Sequence, residues 1–278
     1  DAVRYAKEHG LYVTFFTVDA TRAEWEFFEK LLKTVEKDMD SLTLADTFGV
    51  CSPFAIMEIV RRVKNTVNVP IEIHAHNDLG MATANSLAAV YAGAEVVHVT
   101  VNGIGERCGN TPLEEIVLAL KFFLNVDTNV KLDKLFELSK AVERLSGVHI
   151  PPHKAVVGKN AFRIESGIVA DWWYKVKDAC PLEIFPYKWS LVGREEPEIV
   201  LGKKSGKATI EHMLEELGIK EYSDEVVPKI FAALQKFAPI PPGKLNSKKN
   251  LSFQRDTPII LDAIKKATGE DFRERLSK

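Results

Sequence analysis

The chain has 278 residues, of which 46% are hydrophobic and 27% charged, with a formal net charge of −2 at pH 7. That length fits one large domain or two smaller ones, and the balance is that of a soluble globular enzyme. The near-neutral charge argues against a nucleic-acid or anionic-membrane partner, and no run approaches the roughly 20 apolar residues of a membrane span.

Cys51, Cys108 and Cys180 show no CxxC spacing, so a reducing cytoplasm is the expected setting. No secretory leader is expected. The first residue is Asp1, which places the natural start upstream as an expectation.

In chain order, residues 1–10 read as a helix end stopped by Gly10. Leu11–Thr17 is a strand rich in β-branched and aromatic residues, followed by the polar tip Asp19-Ala20-Thr21-Arg22. Trp25, Phe28, Leu31, Leu32 and Val35 recur at helical spacing between Glu24 and Lys37. Ser41–Ala45 is the next strand, with Asp46-Thr47-Phe48-Gly49 at its end. A helix runs from Pro53 to about Val67, with proline suited to its first turn.

The stretch Pro70-Ile71-Glu72-Ile73-His74-Ala75-His76-Asn77-Asp78-Leu79-Gly80 is a strand, a polar tip and a helix start. Glu72, His74 and His76 share one face because strand side chains alternate with period 2. Two imidazoles so spaced at a strand's C-terminal end can grip one metal ion, or be two polar residues at a loop edge. The Ala-rich helix Met81–Tyr91 follows. The strand Glu95–Val101 ends in the tip Asn102–Pro112, and Leu113–Leu124 is the helix after it.

Residues 1–125 thus hold four strand–tip–helix units, and strict alternation implies a parallel sheet. The tips fall where a (β/α)8 barrel, or an open doubly wound sheet, carries its active site. Four units make half a barrel with two unpaired edges, which natural proteins avoid. The expected fold is therefore α/β: the C-terminal portion of a (β/α)8 TIM barrel, its first strands absent from this chain, then a mainly helical appendage.

Beyond residue 125 the alternation stops. Leu132–Leu145 is an amphipathic helix within a helical linker, 126–157. Residues 158–278 are expected to be mainly helical subdomains: irregular over 158–205, with helices over Ala208–Leu217, Glu225–Phe237 and Thr257–Ala267. Ile240-Pro241-Pro242-Gly243 is a break, and the tail is charged. The aromatics Trp172, Trp173, Tyr174, Phe185, Tyr187 and Trp189 are either an acyl pocket or an ordinary core.

Asp46-Thr47-Phe48-Gly49, His74–Gly80 and Gly103-Ile104-Gly105-Glu106-Arg107-Cys108-Gly109-Asn110 occur in that order on consecutive strand ends. Together with Val200-Leu201-Gly202-Lys203-Lys204-Ser205-Gly206 they resemble the 2-isopropylmalate synthase and homocitrate synthase family. That family lies in the metal-dependent barrel superfamily that includes 3-hydroxy-3-methylglutaryl-CoA lyase. The resemblance covers about residues 10–210. It implies an acyltransferase that condenses acetyl-CoA with a 2-oxo acid at a divalent metal (Mg²⁺, Mn²⁺ or Zn²⁺) and releases CoA.

By resemblance, His74, His76 and Asn110 are metal ligands. The family's Asp ligand and its neighbouring Arg lie on a strand this chain lacks. Thr47, Glu106 and Cys108 take catalytic positions, and Asp46, Thr47 and Arg107 contact substrate. Each has an alternative: a turn cap for Asp46, Thr47 and Asp78, an ion pair for Glu106 and Arg107, a small buried residue for Cys108. His98 shares the parity of Thr100 and reads as a satisfied interior histidine. The resemblance also implies a homodimer with exchanged C-terminal arms.

Three departures stand out. Val18 takes the place of a usual Glu, and Ile164 and Val169 replace two histidines of a helper region. General-base catalysis is typically worth 10²–10⁴-fold, so these losses keep two alternatives open. One is a lyase acting on a 3-hydroxyacyl-CoA with Cys108 as acid or base. The other is a non-catalytic or split homologue.

Overall fold

The structure is a computed structural model that describes residues 1–202, 204–219, 222–237, 251–252, 257–269 and 273. It divides into two compact units, Asp1–Ile150 and Pro151–Lys278.

The first unit alternates helix and strand. Helix α1 (Ala2–Glu8) ends before Gly10, whose φ of +75° suits a residue without a side chain. Then come β1 (Thr14–Thr17), α2 (Trp25–Val35), β2 (Ser41–Asp46), α3 (Pro53–Lys64), β3 (Ile71–Ala75), α4 (Ala82–Ala92), β4 (Val96–Val97), α5 (Leu113–Leu124) and α6 (Leu135–Ser146). Ser52 caps α3 by accepting from the Ala55 N–H at 3.3 Å, with Pro53 in the first turn.

The four strands form one parallel sheet in sequence order, β1-β2-β3-β4. Leu42, Leu44, Ile71, Ile73 and Ala75 are fully buried and join Phe28, Leu32, Ile56 and Val60 in one core. Burying a Leu or Ile in this way is worth about 1.5–3 kcal/mol each. The alternate residues Ser41, Thr43, Glu72, His74 and His98 are polar. One face of the sheet is sealed by helices and the other is a polar surface.

Strand β4 spans two residues, not the seven expected over 95–101. Beside that short ladder the Glu95 and His98 N–H groups donate to the Ile71 and Ile73 carbonyls, and the chain then turns at Thr100–Gly103. Helix α6, expected within a linker, belongs to the first unit. Asn102 donates to the Ser139 carbonyl at 3.0 Å, and Ser139 Oγ donates back to Asn102 Oδ1.

The second unit holds β5 (Arg163–Ile164), α7 (Gly167–Val176), β6 (Glu198–Leu201), α8 (Lys207–Glu216), α9 (Val226–Phe237), β7 (Leu251–Ser252) and α10 (Thr257–Thr268). The expected irregularity over 158–205 is overturned by α7. Its sequence, GIVADWWYKV, is poor in intrinsic helix formers. Packing decides it: Trp173 is buried, 5.5 Å from the Phe185 ring and 5.8 Å from Trp189. A three-stranded sheet, β5-β6-β7, joins the helices. The aromatics build a core, with Trp172 left outside it at 46% exposure. Ile164 is buried in this unit, paired with Ile199. The break at 240–243 and most of the charged tail lie outside the described residues.

Candidate functional site

The site forms where the tips of β2 and β3 meet the loop after β4. The Asn77 N–H donates to the Gly109 carbonyl at 2.9 Å and the Thr111 N–H to Ala75 at 3.2 Å, which draws the 103–110 loop over the end of β3. Gly109 has φ +85°, and a Cβ there would lie 1.8 Å from the Gly103 carbonyl oxygen. A Cβ on Gly105 would lie 2.0 Å from Asn110 Oδ1, so that glycine makes the room the Asn110 side chain occupies.

These contacts bring His74, His76 and Asn110 together. The two imidazoles have centroids 5.1 Å apart, and Asn110 Nδ2 lies 3.2 Å from His74 Nε2. His76 and Asn110 are buried. His76 Nδ1 is a buried polar atom with no hydrogen-bond partner, an arrangement that ordinarily costs free energy. Burial, and then the neighbouring His76 and His98, push the His74 imidazole down to about 4. It is neutral at physiological pH, as a metal ligand must be.

Beneath them lies a polar row. His98 Nδ1 is 3.3 Å from His74 Nδ1, and His98 Nε2 is 2.8 Å from Glu72 Oε2. Burial opposes ionisation of Glu72, but hydrogen bonds with Ser41, Thr43 and His98 together outweigh it and hold the carboxyl below its ordinary range. The Phe16 ring sits 5.2 Å from His74.

The remaining site candidates divide by what they touch. Asp46 is fully buried and accepts from Thr21 Oγ1, the Val50 and Cys51 N–H groups and Asn85 Nδ2, at 3.1–3.4 Å. It ties the β1 and β2 tips to α4. Thr47 Oγ1 accepts from the Asp19 N–H at 2.7 Å. Arg107 makes a two-pronged bond to Asp78, at 2.8 and 3.0 Å, and donates to the Thr47 carbonyl at 2.6 Å. That guanidinium holds the Asp78 carboxyl below its usual range. Glu106 points to solvent, 3.8 Å from Arg107. Cys108 is exposed. Val18 is exposed at the end of β1. Asn85 and Phe16 had no signal in the sequence beyond a polar residue in an Ala-rich helix and an aromatic one in a strand.

Among the described residues, no three His, Cys, Asp or Glu side chains are grouped to hold a metal. The donor set is two imidazoles and an amide. No described helix is long and apolar enough to cross a membrane.

The profile of the HMGL-like family matches residues 1–142. The chain is 41% identical to an (R)-citramalate synthase of Methanocaldococcus jannaschii over 99% of its own length and 53% of that protein. It is 44% identical to a homocitrate synthase of Methanopyrus kandleri, over 84% of this chain and 58% of that one. It is also 44% identical to a 2-isopropylmalate synthase of M. jannaschii, over 84% and 45%. The chain spans about half the length of these relatives.

Proposed function

The chain belongs to the HMGL-like family, and from that premise we propose that it serves carbon–carbon bond formation between acetyl-CoA and a 2-oxo acid at a divalent metal, with release of CoA. The observation that carries this reading is the meeting of His74, His76 and Asn110 at the C-terminal end of β3, where the buried His76 Nδ1 has no partner. The names of the three relatives, all synthases of 2-hydroxy acids, support the acceptor class.

The residues present fit a divalent ion. His74 is neutral, His76 has a buried lone pair or N–H to satisfy, and the Asn110 amide lies against His74 on a loop that Gly105 keeps open. His74, His76 and Asn110 would hold the ion; the imidazoles suit Zn²⁺, and an amide oxygen with water suits Mg²⁺ or Mn²⁺. When bound, it supplies Lewis-acid polarisation of a keto carbonyl.

The chain's own residues do the rest. Thr47 Oγ1 already accepts from Asp19, so its O–H is what it offers to a substrate oxygen. Arg107, braced by Asp78, presents positive charge beside Phe48 at the mouth. Glu106, at the exposed rim, would order water or touch substrate. Asp46 positions the tips. The polar face would line the interior of a (β/α)8 barrel whose further strands pair at the outer edges of β1 and β4. Phe16, Val18 and Val96 are exposed there. A homodimer goes with this reading, and light scattering checks it.

A second reading, cleavage of a 3-hydroxyacyl-CoA, has one observation behind it: the exposed Cys108 thiol two residues from Asn110. The deciding assay is CoA thiol release with acetyl-CoA, Mn²⁺ or Mg²⁺, and pyruvate, 2-oxoisovalerate, 2-oxoglutarate or oxaloacetate. Release that requires one oxo acid and vanishes in His76→Ala is the expected result. No release with any acceptor, together with thioester cleavage that Cys108→Ser abolishes, would move the chain to the second reading.

A further inference from the structure

One row of side chains on the polar face is hydrogen-bonded end to end. Glu72 Oε2 meets His98 Nε2 at 2.8 Å, His98 Nδ1 meets His74 Nδ1 at 3.3 Å, and His74 Nε2 meets Asn110 Nδ2 at 3.2 Å. Strand register produces it. Glu72 pairs with Val96 and Ile73 with Val97, so the next residue along the same line, His98, comes level with His74.

At a pH where both rings are neutral, the protons in this row have a single arrangement. A carboxylate only accepts, so His98 carries its proton on Nε2 and donates it to Glu72. His98 Nδ1 is then a lone pair, so His74 carries its proton on Nδ1. That leaves the lone pair of His74 on Nε2, the atom that faces Asn110. Asn110 Nδ2 lies 3.2 Å from that nitrogen. The opposite tautomer would set a lone pair of His98 against the carboxylate. Thr43 Oγ1 fixes the far end by donating to the same Glu72 oxygen at 2.8 Å.

We propose that Glu72 and His98 are positioning residues for the candidate metal centre: a carboxylate–imidazole relay that locks His74 as its Nδ1–H tautomer and aims its Nε2 lone pair at the ion. The part that concerns the ion rests on the metal reading above; the tautomer does not. Partners of this kind orient a ligating histidine and raise its basicity, and their loss typically weakens metal binding 10–100-fold. Phe16, with its ring 6.1 Å from His98 and 5.2 Å from His74, covers the row from the side of β1.

The test has two readouts. In the metal-free chain carrying nitrogen-labelled histidine, long-range NMR correlations at mildly alkaline pH, where both rings are neutral, report each ring's tautomer. His74 is expected as Nδ1–H and His98 as Nε2–H. Mn²⁺ affinity is then measured by titration calorimetry for His98→Leu, which removes the acceptor, and His98→Asn, whose amide oxygen can stand near the lost Nδ1. His98→Leu is expected to release His74 into a mixture of tautomers and to weaken Mn²⁺ binding about 10–100-fold. His98→Asn is expected to recover most of that loss. A merely structural His98 would leave the His74 tautomer unchanged in both variants.

An Nε2–H tautomer of His74 in the unsubstituted chain would overturn the proposal, as would undiminished Mn²⁺ binding in His98→Leu. If His98→Leu does not fold, the tautomer of the unsubstituted chain and the affinity of His98→Asn decide. An unsubstituted chain with the expected tautomers that binds no Mn²⁺ would overturn the metal reading and leave the locked tautomer standing.

Discussion

The two faces of the first unit's sheet are built from the same strands and do opposite work. On β3, Ile71, Ile73 and Ala75 point to the helices and are wholly buried in an apolar core. Glu72 and His74 point the other way, into a row of hydrogen-bonded polar groups, and His76 lies beyond them at the strand's end. The apolar face follows the ordinary logic of a close-packed core, in which every atom has neighbours. The polar face departs from it, since it buries His76 Nδ1 without a partner and holds His74 neutral by desolvation. Such departures mark where a structure gives up local stability for chemistry. On the proposed reading, stability and function are separable on this sheet, one residue apart.

The largest break in that comparison comes from the apolar side. Ile73→Ala is expected to cost about 2–5 kcal/mol in urea unfolding, through lost transfer energy and the cavity left behind. Its Mn²⁺ affinity, measured where the chain remains folded, should stay unchanged.

The cysteines sharpen the same contrast. Cys51 packs against the apolar core, and burial, then the charge of Asp46, push its thiol up to about 11. Two pKa units remove about a hundredfold of the thiolate at mildly alkaline pH, so Cys51 should react with a thiol reagent roughly that much more slowly than an ordinary exposed cysteine. Mass spectrometry should find Cys108 and Cys180, both exposed, modified first.

Gly109→Ala acts on the polar side. It sets a side chain at φ +85° against the Gly103 carbonyl. A cost of about 1–3 kcal/mol is expected from such backbone strain. Unlike Ile73→Ala, it should also weaken Mn²⁺ binding, because the same loop carries Asn110.

A further effect is one of pH. The folded-state pKa of His74, about 4, lies below the ordinary 6.5, so the unfolded chain binds the extra proton. Its contribution to stability is present above pH 6.5 and is lost as the pH falls toward 4. Urea midpoints of the metal-free chain should drop through that window, and His74→Gln should flatten the drop.

The alternation of strands and helices was legible because periods of 2 and 3.6 are local properties of sequence. The juxtaposition of Asn110 with the two histidines was legible only through the family resemblance, since Asn110 lies 34 positions beyond His76 and a loop must fold back. The Glu72–His98–His74 row was half visible. Parity put Glu72 and His74 on one face and His98 on its own strand's inner face, but their meeting depends on inter-strand register, which no single strand encodes. Asp46 carried a second meaning: four donors from three segments surround it, and nothing in Asp46-Thr47-Phe48-Gly49 announces Asn85 among them. Helix α7 was missed because buried tryptophan contacts, not propensity, hold it.

The central claim is that the C-terminal end of β3 is a metal centre. Titration of Mn²⁺ into the unsubstituted chain and into His76→Ala, with thermal unfolding run alongside, tests it most directly. One ion bound per chain, lost in His76→Ala without a fall in melting temperature, is the expected result. Equal Mn²⁺ binding by both chains, or none by either, would contradict it.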